Sequence, residues 1–245
     1  MSATLVRTPD NPRGMRDLPF RLPEVTMAQK RRARAIYDAL EERYPNAECA
    51  LDYTQPHELL VATILSAQAT DVGVNKATPA LFAAFPEPAD YASATPKRIE
   101  PYVRTIGLFR NKSKHIHGAM TALIEEHGGE VPTEIDALLA LPGVARKTAN
   151  VVLGDAFGIR VGVVVDTHVE RLSKRFALAP EDATVAMVER HLMARLPRAK
   201  WTKISHMLIL HGRAVCKARG ASCDEDEICR KYCAYSKELR RAERG

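Results

Sequence analysis

The sequence LPGVARKTAN occupies residues 141–150. The residues just before it have the apolar spacing of one short helix, Pro142 and Gly143 impose a turn, and helical spacing resumes from Arg146. We therefore predict a helix-hairpin-helix over residues 135–157, within a protein that is mainly α-helical.

The turn of this hairpin has the features of a phosphate-binding site. The first backbone N–H groups of a helix are unpaired and carry partial positive charge, so the amides from Val144 to Lys147 are candidates to hold a phosphate oxygen. Gly143 lets that backbone approach closely. A hairpin that only turns the chain is the alternative. Arg146 and the formal net charge of +6 favour DNA, contacted through its backbone.

Lys147 is the candidate nucleophile. It lies in the first turn of the second helix, where the helix dipole and Arg146 disfavour an added positive charge. A neutral amine there can attack C1′ of a deoxyribose, displace a damaged base and leave a Schiff base that permits strand cleavage by β-elimination. A solvated surface lysine is the alternative.

Asp166, in the sequence VDTH over residues 165–168, has two possible roles. Aspartate is a preferred N-cap, and a new helix is predicted to begin here. Thr167 and Glu170 have capping-box spacing of their own, which would release Asp166. Its carboxylate could then accept a proton or stabilise positive charge on the sugar. Both roles stay open from the sequence alone.

Composition restricts the partner and the compartment. The chain has 245 residues, enough for one large domain or two small ones. Its positive charge and its single Trp favour duplex DNA over single strands. It has neither a membrane-spanning apolar stretch nor the order of a signal peptide, so we expect a soluble cytoplasmic protein, associated with the nucleoid through DNA. Residues 1–27, rich in Pro and Arg, are predicted to be a flexible basic extension.

Other segments support the helical prediction. Residues 58–65 suit a buried helix, and residues 120–127 form the end of a helix that stops at Gly128 and Gly129. The apolar run 161–165 suits a strand by composition, but no partner strand is evident, so an extended connection between helices is expected.

Four of the five cysteines are clustered near the C-terminus, at Cys216, Cys223, Cys229 and Cys233. In a cytoplasmic protein this clustering favours a metal site over disulfides. Cys49 stands apart and is expected to be a free thiol in the core.

The hairpin with its lysine and aspartate resembles the endonuclease III family of the helix-hairpin-helix DNA glycosylase superfamily. Further segments follow in that family's order, from about residue 28 to about residue 235. They are residues 65–77, residues 106–108, residues 208–213 and the cysteine cluster.

The resemblance implies a role for each matching residue. Lys147 is the Schiff-base nucleophile and Asp166 the essential carboxylate. Gln68 resembles the residue that fills the space left by the extruded nucleotide, and Leu108 the wedge inserted into the base stack; a helix-terminal glutamine and a core leucine are the alternatives. The DNA-binding set is completed by the hairpin residues Gly143, Ala145 and Arg146. Four cations flank the turn of Leu108 and suggest a DNA-facing loop: Arg104, Arg110, Lys112 and Lys114.

The implied fold is all-α with two lobes. Residues 50–159 form a six-helix barrel lobe that includes the hairpin, and residues 28–49 with 160–245 form a discontinuous lobe with a C-terminal iron-sulfur cluster loop. A monomer is expected by the same resemblance.

The cysteines depart from the family pattern. They read C-x6-C-x5-C-x3-C, whereas the family loop reads C-x6-C-x2-C-x5-C, so Asp226 stands where a third cysteine is expected. We predict a [4Fe–4S] cluster on the four cysteines with a remodelled loop. Structural zinc on the same thiolates is the alternative.

Ala145 is the second departure, because the family usually has glycine there. Its methyl group would restrict the turn or push the phosphate away, which suggests weakened glycosylase activity with lyase activity partly kept.

The resemblance implies a bifunctional DNA glycosylase and AP lyase that removes oxidised pyrimidines from duplex DNA and cleaves 3′ to abasic sites. The alternatives are a weakly active relative that acts mainly as an AP lyase or has another base specificity, and a non-catalytic binder of DNA structures.

Overall fold

The structure, a computed structural model, describes residue 18 and residues 20–234. Throughout this part of the chain the regular structure is helical and contains no strand, as predicted. The α-helices are α1 (Met27–Arg43), α2 (Pro56–Ser66), α3 (Asp71–Ala84), α4 (Pro88–Ser93), α5 (Pro96–Val103), α6 (Phe109–His127), α7 (Ile135–Ala140), α8 (Arg146–Val151), α9 (Thr167–Arg175), α10 (Val185–Arg195), α11 (Trp201–Ala214) and α12 (Glu227–Tyr232).

The chain divides into two compact units. Cys49–Ile159 forms one, called here the hairpin unit. The described residues of Met1–Glu48 and Arg160–Gly245 form the other, called here the cysteine unit. The barrel and cluster lobes expected from the sequence stay predictions.

The hairpin unit is built on α2 and α6. Helix α2 is buried at nearly every position from His57 to Leu65, which confirms the predicted buried helix. Helix α6 packs against α2, α4 and α5 and ends at Gly128, which adopts the left-handed conformation expected of a helix stop.

The cysteine unit has one continuous core. The buried faces of α1, α9, α10 and α11 meet in it, and all four clustered cysteines belong to it. Trp201 is fully buried there, and its indole Nε1 donates to the carbonyl of Leu196 at 3.0 Å.

The chain before α1 adds to this core. Leu18, Phe20 and Leu22 pack against it, and the guanidinium of Arg190 lies 4.6 Å from the centre of the Phe20 ring. The rest of the predicted basic extension, residues 1–17 and residue 19, lies outside the described residues.

Two connections near the hairpin complete the fold. Residues 163–166 form neither helix nor strand, as predicted for a connection, and the backbone of Asp166 is extended. Val163 and Val165 are buried in the core of the cysteine unit. The helix predicted from Arg146 to Phe157 is α-helical only to Val151, and Val152–Ala156 forms a π-helical turn. Apolar spacing does not reveal this difference, because a single π-helical turn is too short for its period to be distinguished from that of an α-helix.

None of the described helices combines the length and the apolar character needed to cross a lipid bilayer.

Candidate active site and cysteine cluster

The structure confirms the helix-hairpin-helix. Helix α7 spans Ile135–Ala140, and the chain turns through Gly143 at φ 77°. The amide of Val144 donates to the carbonyl of Leu141 at 3.1 Å and closes the turn before α8 begins. The backbone N–H groups at the start of α8 therefore follow directly on the turn.

Helix α6 supports this turn at very short range. A Cβ atom on Gly143 would lie 2.6 Å from the Cβ of His115, and one on Gly118 would lie 3.2 Å from the Pro142 ring. Glycine is thus required at position 143 for two reasons, the positive φ of the backbone and the short distance to α6. The hairpin therefore packs on α6 at distances that exclude a Cβ at residue 143 and leave little room for one at residue 118.

Ala145 is the N-cap of α8 and is exposed. Its φ of −91° and ψ of 169° are extended backbone that any residue adopts. The expectation that the methyl group restricts the turn is therefore wrong. Its effect on a bound phosphate stays a prediction.

Lys147 lies on the solvent side of α8, one residue after Arg146. It is exposed, and within residues 20–234 it makes no hydrogen bond or ion pair. The next three residues of the helix are buried and fix the helix in the hairpin unit. The amine of Lys147 is therefore carried by a fixed helix and is available to an incoming ligand.

Asp166 lies in the cysteine unit, at the start of α9, and is half-buried. It is the N-cap: its Oδ1 accepts from the backbone amides of His168 at 2.9 Å and Val169 at 2.8 Å. The expected capping box of Thr167 is wrong, because Thr167 is the first helical residue and Glu170 pairs with Lys174 instead.

The second oxygen of Asp166 is different. Among the described residues, none donates a hydrogen bond to Oδ2. Capping and chemistry are therefore compatible, since capping uses one oxygen and holds the other in a defined position.

An arginine that the sequence analysis missed organises the surroundings of Asp166. The Nη2 atom of Arg171 lies 3.1 Å from Nδ1 of His168 and donates to the carbonyls of Gly212 and Cys216, at 3.1 and 2.9 Å. Burial lowers the pKa of His168, and so do the charges of Arg171 and Arg213, against the opposing effect of Asp166. The spacing of His168 and Arg171, three residues apart on one helix, was the available signal.

Gln68 and Leu108 share an unusual backbone conformation. Their φ angles are 55° and 60°, and within the described chain only Ala177 also combines a side chain with positive φ. Both side chains are exposed, Leu108 to 58%, so the alternative of a core leucine is wrong. Such strain persists only where the surrounding structure fixes it, and it is concentrated at functional sites.

One of the predicted DNA-facing cations does not face solvent. Arg104, Arg110 and Lys114 are exposed, but the side chain of Lys112 is only 4% exposed. Its Nζ donates to the carbonyl of Leu65 at 2.9 Å, so Lys112 is part of the interior of the hairpin unit.

The four clustered cysteines meet in the core of the cysteine unit, and each is fully buried. The Sγ atoms of Cys216, Cys223 and Cys229 all lie within 4.8 Å of one another. Nη1 of Arg175 donates to the sulfur of Cys216 at 3.1 Å. The set fits a metal site made of four thiolates.

The charges within this cluster also favour a cation. Hydrogen bonds from Cys229 and Cys233 lower the pKa of Cys216, whereas burial and the neighbouring Cys216 raise the pKa of Cys223 to about 12. The hydrogen bond with Cys216 likewise raises the pKa of Cys229. Four thiolates buried in one core would repel one another, so deprotonation of all four requires a positive centre.

Asp226, at the place of the expected third cysteine, has a structural role. It is the N-cap of α12, with Oδ1 accepting from the amide of Cys229 at 2.9 Å. Its other oxygen lies 3.2 Å from Nη1 of Arg43, and Oδ1 lies 3.7 Å from Nε2 of His211.

The fifth cysteine, Cys49, was expected to lie in the core. This expectation is wrong, because Cys49 is only half-buried.

Comparison with known proteins gives a consistent result. Residues 61–198 match the family model described as HhH-GPD superfamily base excision DNA repair protein. The chain is similar to endonuclease III of Synechocystis sp., 50% identical over 82% of this chain and 91% of that protein. It is also similar to endonuclease III of Escherichia coli K12, 43% identical over 79% and 92%.

Solved structures agree. A structure of an endonuclease III–DNA covalent intermediate is 40% identical in sequence and covers 89% of this chain and 100% of its own, with a TM-score of 0.82. A thermostable thymine-DNA glycosylase, 20% identical with a TM-score of 0.77, shares the fold.

The packing of Gly143 leads to a prediction about stability. Gly143→Ala should lower the free energy of unfolding by about 1–3 kcal/mol, because alanine must adopt positive φ and collide with His115. Gly107→Ala is the control, since a Cβ there has no neighbour within 4 Å. Urea unfolding measures both variants, and an equal loss in both would contradict the assigned packing.

Proposed function

Because the chain belongs to the endonuclease III family of the HhH-GPD superfamily, we propose that Lys147 and Asp166 carry its chemistry. The family makes the chain a DNA glycosylase and AP lyase of base excision repair. The observation that carries the assignment to Lys147 is its exposed amine, without a partner in residues 20–234, on the helix that follows the hairpin.

The proposed reaction proceeds in four steps. The neutral amine of Lys147 attacks C1′ while the damaged base leaves with the electrons of the glycosidic bond, and Asp166 accepts the proton that the amine loses. The sugar ring opens to a Schiff base on Lys147. Loss of a proton from C2′ then expels the 3′ phosphate, and water releases the lysine.

The free oxygen of Asp166 supports its role. An unprotonated carboxylate oxygen stabilises positive charge that develops on the sugar as the base departs. The N-cap bonds to His168 and Val169 fix the carboxylate before substrate arrives, so little reorganisation is needed during the reaction.

The proposed ligand is duplex DNA that contains oxidised pyrimidines or abasic sites. The turn at Gly143, the N-cap Ala145 and Arg146 would hold a backbone phosphate. Gln68 and Leu108 would occupy the space of the extruded nucleotide, since both are exposed and held in a strained conformation. Their contacts partly offset the cost of extrusion.

We propose that the cofactor is a [4Fe–4S] cluster on Cys216, Cys223, Cys229 and Cys233, with zinc as the alternative ligand of the same thiolates. Bound there, the metal would supply cross-linking of the C-terminal segment to the core rather than a step of the reaction. The burial of all four thiols in one core supports this structural role.

The nucleophile can be tested by trapping. With borohydride and DNA containing an abasic site, the wild-type protein should form a covalent adduct, and Lys147→Ala should form none, because no other amine is assigned to the sugar. Lys97→Ala, which removes an exposed lysine of α5, should trap like the wild type. An undiminished adduct in Lys147→Ala would refute the assignment.

Asp166 can be tested without loss of its cap. Asparagine caps helices as well as aspartate, so Asp166→Asn should keep the stability of the wild type. Excision of a damaged base should nevertheless fall by about 100-fold or more, because the carboxylate charge is lost. Single-turnover excision and thermal unfolding, measured together, separate the two roles. A variant that excises at the wild-type rate leaves Asp166 as a cap only.

The cofactor can be identified by analysis of the purified protein. We expect about four iron atoms and four inorganic sulfides per chain. Cys229→Ser should lose most of the iron, whereas Cys49→Ser should keep it, since Cys49 lies outside the cluster. Stoichiometric zinc without iron would establish the alternative metal, and retention of all iron by Cys229→Ser would contradict the ligand set.

A further inference from the structure

Lys112 is a buried lysine that the proposed chemistry does not use. It lies one turn into α6, with 4% of its surface exposed, and its Nζ donates to the carbonyl of Leu65. Burying an ammonium group is unfavourable unless a partner compensates it, and burial lowers the pKa of Lys112. The amine keeps N–H donors whether or not it is protonated, so the bond does not depend on charge.

The carbonyl that Lys112 binds is at the end of α2. In a longer helix it would accept from Ala69, but the amide of Ala69 donates to Ser66 instead, at 3.0 Å. Leu65 therefore presents one of the unpaired carbonyls of a helix C-terminus, where a lysine is also favoured by the helix dipole. Lys112 therefore caps the C-terminus of α2 at Leu65, which lies three residues before Gln68 in the sequence.

The backbone of Lys112 makes a second connection. Its amide donates to the carbonyl of Leu108 at 3.0 Å, in the first turn of α6. One residue thus contacts the segment before Gln68 through its side chain and Leu108 through its backbone. Both contacts lie within the hairpin unit.

We propose that Lys112 is a positioning residue that ties the end of α2 to the start of α6 and thereby holds Gln68 and Leu108 ready for insertion into DNA. This inference rests on the proposed roles of those two residues. Left-handed backbone at a non-glycine residue persists only where neighbouring structure enforces it. Lys112 bonds to the Leu65 carbonyl through its side chain and to the Leu108 carbonyl through its backbone amide.

Direct attraction of Lys112 to DNA is a poorer explanation of the buried lysine. Arg104, Arg110 and Lys114 are exposed near the same turn, whereas the Nζ of Lys112 is directed to a carbonyl inside the unit. An apolar residue of the same length would fill the space but would leave that carbonyl without its donor.

The test separates extrusion of the base from chemistry. Wild type, Lys112→Met and Lys97→Met are compared on duplex DNA with 2-aminopurine beside the lesion, whose fluorescence rises when the base stack opens. The same proteins are trapped by borohydride on a single-stranded abasic oligonucleotide, which requires no extrusion. Lys97→Met removes the same charge from the exposed surface of α5.

We expect Lys112→Met to lose the fluorescence rise. It should also excise from duplex DNA on the order of 10- to 100-fold more slowly, because a small misplacement of the groups that position the substrate lowers the rate by such factors. Its trapping on single strands should match the wild type, and Lys97→Met should be unaffected in both assays. Equal losses on duplex and single strand would overturn the proposal, because they indicate a general structural defect. So would an unchanged fluorescence rise.

A double-mutant cycle identifies the route of the effect. If Lys112 acts partly through Leu108, Lys112→Met should cause a smaller loss in the Leu108→Ala background than in the wild type, and the remaining loss should come through Gln68. Fully additive losses would overturn the inference. If Leu108→Ala alone leaves the fluorescence rise intact, the proposed role of Leu108 fails; if it removes the rise while Lys112→Met does not, only the positioning role fails.

Lys112→Arg keeps the test decisive where Lys112→Met does not fold. Arginine retains a donor for the Leu65 carbonyl, so this variant should recover most of the fluorescence rise and of the duplex excision. A folded Lys112→Arg that lacks the rise, although it traps normally on single strands, would overturn the inference, because a donor to the Leu65 carbonyl would then not be enough to hold Gln68 and Leu108. A folded variant that loses both activities equally overturns it.

Discussion

The close packing of the Pro142–Gly143 turn on α6 is the constraint on which the reactive part of the hairpin unit depends. Gly143 accepts a positive φ and admits the side chain of His115 at a distance that any Cβ would forbid. The first turn of the same helix contains Lys112 and follows Leu108. A single helix thus supports the hairpin in its middle and begins directly after Leu108, the proposed wedge residue, so their relative geometry within the unit is set by one rigid element.

In the cysteine unit, a single helix likewise fixes the surroundings of Asp166. One carboxylate oxygen caps α9, which fixes the position of the other. Arg171, on the same helix, bonds to the carbonyls of Gly212 and Cys216, and so connects α9 to the end of α11 and to the first cysteine of the cluster. A metal that holds Cys216 would therefore also stabilise the helix that carries Asp166. In this way a bound metal would support the proposed chemistry of Asp166 without taking part in it.

Features that depend on neighbouring residues in the sequence, such as helix limits at a turn, were predicted correctly. Features that depend on packing between distant residues were not. Helix α7 ends where predicted because Pro142 and Gly143 impose the turn that follows it. The capping of α9 was misassigned because Asp166 and Thr167 are both good caps and sequence does not rank adjacent candidates. Lys112 was predicted to lie on the surface because lysines are rarely buried. Its burial is explained only by the carbonyl of Leu65, which is distant in the sequence and accepts a hydrogen bond from its Nζ.

The altered cysteine spacing follows from helix geometry. Cys229 lies in α12 and Cys233 is its C-cap, and the amide of Cys233 donates to the carbonyl of Cys229 at 2.8 Å. Residues four apart on a helix share one face, so the x3 interval directs both thiols to the same side. Asp226 begins this helix by capping the amide of Cys229. The aspartate that replaces an expected cysteine thus helps to form the helix that brings two other cysteines into the core, and the loop exchanges the position of its thiols while keeping four of them.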